Sequence, residues 1–318
     1  MTPSARPLRR VLLDTDLAMG APGSDIDDGF ALALALADPQ MSLELVTTVN
    51  GNTDVDTATR LAGQLLDRLG RPDIPVVRGA GAPLRGPGRP SAADASPGTS
   101  PRGHAAVEIA DRVLAEPGEL TVVAIGPLTN LALALLLAPA VARAVREVVV
   151  MGGVFLRHTN TAAMPGEFNI WCDPDAAAVV LDSGAPLRFV GLDVTTQVRL
   201  TDEDAGRMAA GGRAFGAFAG ACTREWIHYC EERNPGALDE HGSCAMHDPL
   251  AVAAVTQPEL LTWRPAQVRV ETASPVTRGV VVADLLTTDQ PPVANCQIAT
   301  AVDAGAFREL FLSRIAEL

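Results

Sequence analysis

Asp14-Thr15-Asp16 and Asp27-Asp28 place four carboxylates between a strand-like run, Arg10-Val11-Leu12-Leu13, and a helix-like one, Gly29 to Leu36. Aspartate is a poor strand former, and like charges crowded into one confined site disfavour each other's ionised form. A cation relieves that cost, and oxygen-only donors select a hard one such as Ca²⁺ or Mg²⁺. Other polar clusters recur down the chain: Asn50-Gly51-Asn52, Gly126-Pro127-Leu128-Thr129-Asn130, Met151-Gly152-Gly153, Glu167-Phe168-Asn169 ahead of Asp173-Pro174-Asp175, and His247-Asp248-Pro249-Leu250. Singly, each has a structural reading. Gly152-Gly153 suits a tight turn, Asn130 an amide satisfied within a helix, His247 a packed surface histidine, and Asp248 an N-cap with Pro at N1.

These groups can meet only if the intervening elements deliver them to one edge. Val11 to Leu13, Leu43 to Val49, Pro75 to Val77, Leu120 to Ile125, Glu147 to Met151 and Leu187 to Gly191 read as short buried strands. Between them, Gly29 to Ala37, Val55 to Leu69, Gly103 to Leu114, Leu128 to Leu137 and Asp175 to Asp182 read as helices, with Val55, Ala58, Leu61, Ala62, Leu65 and Leu69 at helical spacing. The alternation predicts an α/β fold, an open and mostly parallel sheet with flanking helices and ligands at the carboxyl ends of its strands. Gly86 to Arg102, rich in Pro, Gly and Ser, reads as a surface loop, since the alternation resumes directly after it. Residues 201 to 256 read as mostly helical. Gln267 to Glu271, Thr277 to Asp284 and Cys296 to Val302 read as strands of an antiparallel C-terminal extension at a sheet edge.

A hydrophobic content of 47% over 318 residues supports a large core, in one α/β domain or two smaller ones. The net charge of −13 argues against nucleic acid as a partner, because little would neutralise phosphates. Cys172, Cys222, Cys230, Cys244 and Cys296 are odd in number and lack a Cys-x-x-Cys pair, so they read as free thiols of a reducing compartment rather than disulfides or a zinc site. Arg6, Arg9 and Arg10 precede an apolar run too short for a secretory signal, and no stretch is long enough to span a bilayer. A soluble, cytoplasmic protein with no membrane partner is expected.

Taken in order, these motifs resemble the nucleoside hydrolases, the inosine–uridine-preferring N-ribohydrolase family. The family signature Asp-x-Asp-x-x-x-Asp-Asp corresponds to Asp14, Asp16, Asp27 and Asp28, here with the longer interval Leu17 to Ile26. The likeness continues through Gly51-Asn52, Ile125 to Asn130, Met151-Gly152-Gly153, Glu167-Phe168-Asn169 with Asp173-Pro174, and His247-Asp248-Pro249. It implies a single nucleoside hydrolase-like domain over residues 1–318, a homodimer or homotetramer, a nucleoside substrate and one Ca²⁺. It also implies metal ligation by Asp16, Asp28, the Ile125 carbonyl and Asp248, with Asp14 and Asp27 bordering the ion and holding ribose and water. Asn52 and Asn169 would bind ribose hydroxyls, beside Met151, and Glu167 and Asn160 the 5′-hydroxyl. Asn160 lies one residue farther from Met151 than the pattern requires.

The implied reaction is hydrolysis of the N-glycosidic bond through an oxocarbenium-like state, with Asp16 as the base that prepares water and His247 as the acid that assists the leaving nucleobase. An imidazole has an ordinary pKa suited to that task. The chain departs from the family after strand three, where Gly86 to Gly103 replaces a His-Gly element and His104 belongs to the next helix. Tyr229 and His241 are candidates for the nucleobase pocket, Trp226 for the core and His228 for solvent. Ala21-Pro22-Gly23-Ser24 lacks the Lys-Ser/Thr pair of a phosphate-binding loop. A haloacid-dehalogenase-like phosphatase also places Asp-x-Asp after strand one but requires a downstream lysine, and this chain has none. A nucleoside- or ribose-binding protein without turnover is the non-enzymatic alternative.

Overall fold

The computed structural model describes residues 8–86, 103–156, 164–211, 213–236, 241–286 and 288–318. The strands are β1 (Arg9–Thr15), β2 (Met41–Thr48), β3 (Val76–Arg78), β4 (Leu120–Ala124), β5 (Glu147–Met151), β6 (Leu187–Val190), β7 (Arg199–Thr201), β8 (Ser243–Ala245), β9 (Leu261–Val270), β10 (Val281–Asp284) and β11 (Cys296–Val302). The helices are α1 (Asp27–Ala37), α2 (Val55–Arg68), α3 (Ala105–Ala115), α4 (Thr129–Leu137), α5 (Val141–Ala144), α6 (Phe168–Cys172), α7 (Pro174–Asp182), α8 (Leu192–Thr195), α9 (Asp202–Ala210), α10 (Ala214–Arg233), α11 (His247–Thr256) and α12 (Ala304–Ile315).

Nine strands form one sheet in the order β10-β9-β11-β6-β5-β4-β1-β2-β3. Strands β1 to β6 are mutually parallel and β11 pairs parallel with β6, while β9 and β10 are antiparallel at the edge. The expected C-terminal extension is therefore present, but Cys296–Val302 lies inside it as the strand that joins it to the parallel block. From β1 the chain builds outward to β2 and β3, then returns to β4 on β1's other side. The order reverses between β1 and β4, and at such a switch point the loops leave in opposite directions and open a crevice at the carboxyl ends. Asp14 pairs with Thr47 on one flank and Ala124 on the other, so the first aspartate motif emerges at that crevice.

The period-2 alternation of a parallel strand separates two cores. Val11 and Leu13 face one that includes α1, α2 and α11; Leu12 faces the other, with α3, α4 and α7. Helix α1 is buried from Asp27 through Ala35, and α11 from Asp248 through Thr256. An all-apolar helix has to lie inside the fold. These two pack on each other, and Phe30 meets Phe215 and Phe311 edge-on at 6.3 and 5.4 Å. Residues 87–102, most of the expected surface loop, lie outside the described residues. No helix among the described residues is long and apolar enough to cross a membrane.

Candidate active site

Packing α1 against α11 brings both first turns to the crevice. Asp27 and Asp28 open α1, and Asp248 lies in the first turn of α11. Each helix presents its positive dipole end and free N–H groups to the acids, which offsets part of the charge crowding. The Asp248 N–H donates to Asp27 Oδ2 at 3.2 Å. Oxygens of Asp27, Asp28 and Asp248 lie within 4.8 Å of one another. Ligands of a single Ca²⁺, each at about 2.3–2.6 Å from the ion, have that spacing. Asp248 is therefore not the N-cap read from Pro249. The helix begins at His247, Met246 stands at the cap without a side-chain bond, and the Asp248 carboxylate turns to the cluster instead.

Asp16 is fully buried, one hydrogen bond back from the crevice. Its Oδ2 accepts the Asn52 N–H at 2.6 Å, and Asn52 Nδ2 donates to Asp28 Oδ2 at 2.9 Å. The carboxylate occupies a slot between two glycines. A Cβ on Gly51 would fall 2.0 Å from Asp16 Oδ2, and one on Gly126 2.9 Å from Oδ1. Asp16 Oδ1 is buried with no hydrogen-bond partner. An orphaned anionic oxygen beside three convergent carboxylates is costly as it stands, and a hard cation fits this all-oxygen donor set. Thr15 Oγ1 also donates to Asp28.

Burial holds these acids above the ordinary carboxylate range. Asp27 is pushed up to about 7 by burial and then by Asp28, and Asp28 to about 6 by burial. Asp16 and Asp248 rise well above their usual value through burial and then the charge of Asp28 and Asp27 respectively. Asp14 sits deeper. Its Oδ1 accepts from Thr47 Oγ1 (2.6 Å) and Asn130 Nδ2 (2.8 Å), and burial raises it to about 6. Asn130 is not satisfied within its helix as the sequence suggested. It ties Asp14, the Thr48 carbonyl and the Ala80 N–H together, its amide pressed on bare Gly79.

A cavity of about 400 Å³ opens in front of the cluster, in the size range of small-molecule sites. Asp27, Asn52, Ile125, Met151, Glu167, Asn169, Tyr229, His247 and Asp248 line it, so nine of the residues singled out from sequence converge on one space. Asn169 Nδ2 donates to the carbonyls of Ile125 (2.8 Å) and Met151 (3.2 Å). Glu167 caps α6, accepting from Gly153, Asn169 and Ile170 N–H groups. His247 is half-buried at the lining rather than a packed surface histidine, and its Nδ1 is 2.7 Å from Thr195 Oγ1. Asp14, Asp16 and Asp28 lie behind the lining, and His241 is exposed away from it. Asn160 lies outside the described residues.

The opposite wall is aromatic. Tyr229 stacks on Trp226 with centroids 5.3 Å apart and planes 17° off parallel, and the Arg233 guanidinium lies 5.5 Å from the Tyr229 centroid. Trp226 packs against the core, as expected, and also lines this wall, half-buried; His228 is exposed, as expected. Sequence reasoning missed Asp25, Thr195 and Arg233. Asp25 lines the cavity and shares a hydrogen bond with Asp27. Arg233 follows Tyr229 at the i,i+4 spacing that puts two residues on one helix face, a signal available in the sequence. Thr195 had none, because the α8 turn places it.

A carboxylate crevice at the switch point of a parallel sheet, sharing one cavity with a stacked aromatic pair, has the form of a small-molecule enzyme site. Comparison with known proteins agrees. The model of the family described as inosine-uridine preferring nucleoside hydrolase matches residues 11–309, and the chain belongs to that family. It is thereby a hydrolase of N-glycosyl compounds, a nucleoside N-ribohydrolase. It is 37% identical to the non-specific ribonucleoside hydrolase RihC of Salmonella newport, over 94% of this chain and 95% of that one. It is also 37% identical to a probable uridine nucleosidase 2 of Oryza sativa, over 83% and 78%. The solved purine-preferring ribonucleoside hydrolase from Gardnerella vaginalis superposes with a TM-score of 0.85 at 30% identity, covering 97% of this chain and 98% of that one.

Proposed function

We propose that this chain cleaves ribonucleosides to ribose and free nucleobase in a Ca²⁺-dependent reaction, with Asp16 as general base and His247 as general acid. The observation that carries the reading is the orphaned Asp16 Oδ1, held between Gly51 and Gly126 behind the convergent Asp27, Asp28 and Asp248. Asp16, Asp28, Asp248 and the Ile125 carbonyl would hold the ion, with Asp27 adjoining it. When bound, Ca²⁺ supplies a Lewis acid that acidifies water and grips vicinal hydroxyls.

Asp16 accepts the proton of the attacking water, its carboxylate fixed by the Asn52 N–H and the glycine slot. Asp27, Asn52 and Asn169 orient the ribose hydroxyls, and Glu167, with Asn160, takes the 5′-hydroxyl. Met151 packs against the sugar, and Asp14 buttresses the cluster from below. As the glycosidic bond lengthens, positive charge grows on the sugar, and the carboxylates around it stabilise that charge. His247 gives a proton to the departing base, with Thr195 fixing the orientation of its ring. Tyr229 faces the base, and His241, exposed away from the cavity, takes no part. A cytoplasmic, homo-oligomeric single-domain enzyme completes the proposal.

The deciding assay is reducing-sugar release from inosine, uridine, cytidine, adenosine and guanosine, before and after EDTA treatment. Release that EDTA abolishes and Ca²⁺ restores is expected. Full release after thorough chelation overturns the Ca²⁺ requirement, and no release with Ca²⁺ bound overturns turnover of ordinary ribonucleosides.

A further inference from the structure

The interval Leu17 to Ile26, where the chain departs from its family signature, does more than space the aspartates. It makes two contacts with α10 through glycines in the left-handed region. A Cβ on Gly20 (φ +97°) would meet Phe218 Cζ at 3.5 Å, an ordinary contact. A Cβ on Gly23 (φ +66°) would lie 2.9 Å from Tyr229 Cε2 and 3.3 Å from Cζ, closer than side chains pack. The Tyr229 ring therefore rests on the bare Cα of Gly23 while it stacks on Trp226. The seam between loop and helix encloses only about 20 Å³, room for about one water. Farther along, the same loop carries Ser24 and Asp25 into the acidic half of the cavity, beside Asp27 of α1. One loop thus touches both halves of the site.

We propose that Gly23 is a positioning residue for substrate recognition: it seats the Tyr229 ring and so fixes the distance between the aromatic wall and the carboxylate end. The inference rests on the nucleoside reading, in which the aromatic wall meets the base and the carboxylate end the ribose. It predicts that crowding this seat harms binding of the whole nucleoside while leaving binding of the sugar alone intact.

The test uses Gly23→Ala, Tyr229→Ala and their combination. Gly70→Ala is the control, since Gly70 has a similar φ of +71° with nothing within 4 Å, so it carries the backbone strain without the collision. Gly23→Ala is expected to raise KM about tenfold for the nucleosides the parent cleaves, with kcat within about twofold. The inhibition constant of free ribose should not move. In the Tyr229→Ala background, adding Gly23→Ala should change KM less than about twofold, the signature of two residues acting through one contact. Gly70→Ala should lower Tm and leave both kinetic constants alone. Equal losses for ribose and nucleoside, or independent multiplication of the two effects, overturn the proposal. Should Gly23→Ala fail to fold, folding of the double variant is the rescue that supports the seat, and failure of both overturns it. Should the parent cleave no nucleoside, the hydrolase reading falls. Nucleoside affinity by Trp fluorescence then decides the seat on the same coupling or additivity.

Discussion

Removing the cation should reverse the usual pH dependence of stability. The buried acids have folded-state pKa values above those of the unfolded chain, Asp27 most plainly, from 3.8 up to about 7. The folded state then keeps a proton that the unfolded state has lost, so stability is fully present below about 4 and is lost as pH rises toward 7. At about 1.36 kcal/mol per pK unit, Asp27 alone should cost the cation-free protein roughly 3 kcal/mol between pH 5 and pH 8. Asp28 adds in the same direction without being independent. For a chain of this size that is a fall in Tm of about 5–10 °C. On the proposed reading, bound Ca²⁺ would take the place of those protons, so saturating ion should stabilise strongly at pH 8 and weakly at pH 5; at a hundredfold excess over Kd the gain is about 2.7 kcal/mol. Thermal melts from pH 5 to 8, after EDTA dialysis and again with Ca²⁺, measure both. A cation-free protein that gains stability from pH 5 to 8, or a Ca²⁺ effect equal at both ends, refutes the reasoning.

Other perturbations separate the roles of individual residues. Asp16→Asn should lower kcat by about 10²–10⁴-fold with the fold intact, the range of a lost general base; near-normal turnover removes Asp16 from that role. His247→Ala should cost a similar factor on natural nucleosides yet less than about tenfold on a nitrophenyl riboside, whose leaving group needs no proton; equal losses on both would falsify the acid assignment. Gly51→Ala should abolish most turnover although it touches no substrate, because its methyl would fall 2.0 Å from Asp16 Oδ2; a variant within about threefold of the parent shows that the slot is not needed.

The sequence disclosed this site unevenly, for physical reasons. Strand and helix positions were legible wherever one face alternates or an apolar run is long, as in β1, α1 and α2. The acids at strand ends were legible because aspartate at the end of a buried strand demands an explanation. The local readings of Asn130 as a helix amide and of Asp248 as an N-cap fail because the local pattern competes with a tertiary partner that only the sheet topology brings close, whereas the resemblance already implied a metal-facing Asp248. Asn130 reaches Asp14 across more than a hundred residues, and Asp248 reaches Asp27 across more than two hundred. Asp25 was passed over beside the conspicuous Asp27-Asp28 pair, and Trp226 packs against the core as an aromatic residue on a helix usually does, while its other face lines the cavity. Its position beside Tyr229 follows from the loop that supports them.

The arrangement also accounts for how the chain endures its own charge. Six acidic side chains around one crevice, Asp14, Asp16, Asp25, Asp27, Asp28 and Asp248, oppose folding unless several devices act together. The N-termini of α1 and α11 point their dipoles at the cluster, N–H groups of Asn52 and Asp248 donate into it, and Thr15, Thr47 and Asn130 bond the oxygens that face away. None of these reaches Asp16 Oδ1. A fully compensated cluster would be stable and inert. Two carboxylate oxygens, Asp16 Oδ1 and Asp14 Oδ2, stay buried without a partner, and on the proposed reading the Asp16 carboxylate, left desolvated and basic, would be the one that takes the proton of water. The backbone at Gly51 and Gly126 approaches the Asp16 carboxylate so closely that neither position has room for a Cβ.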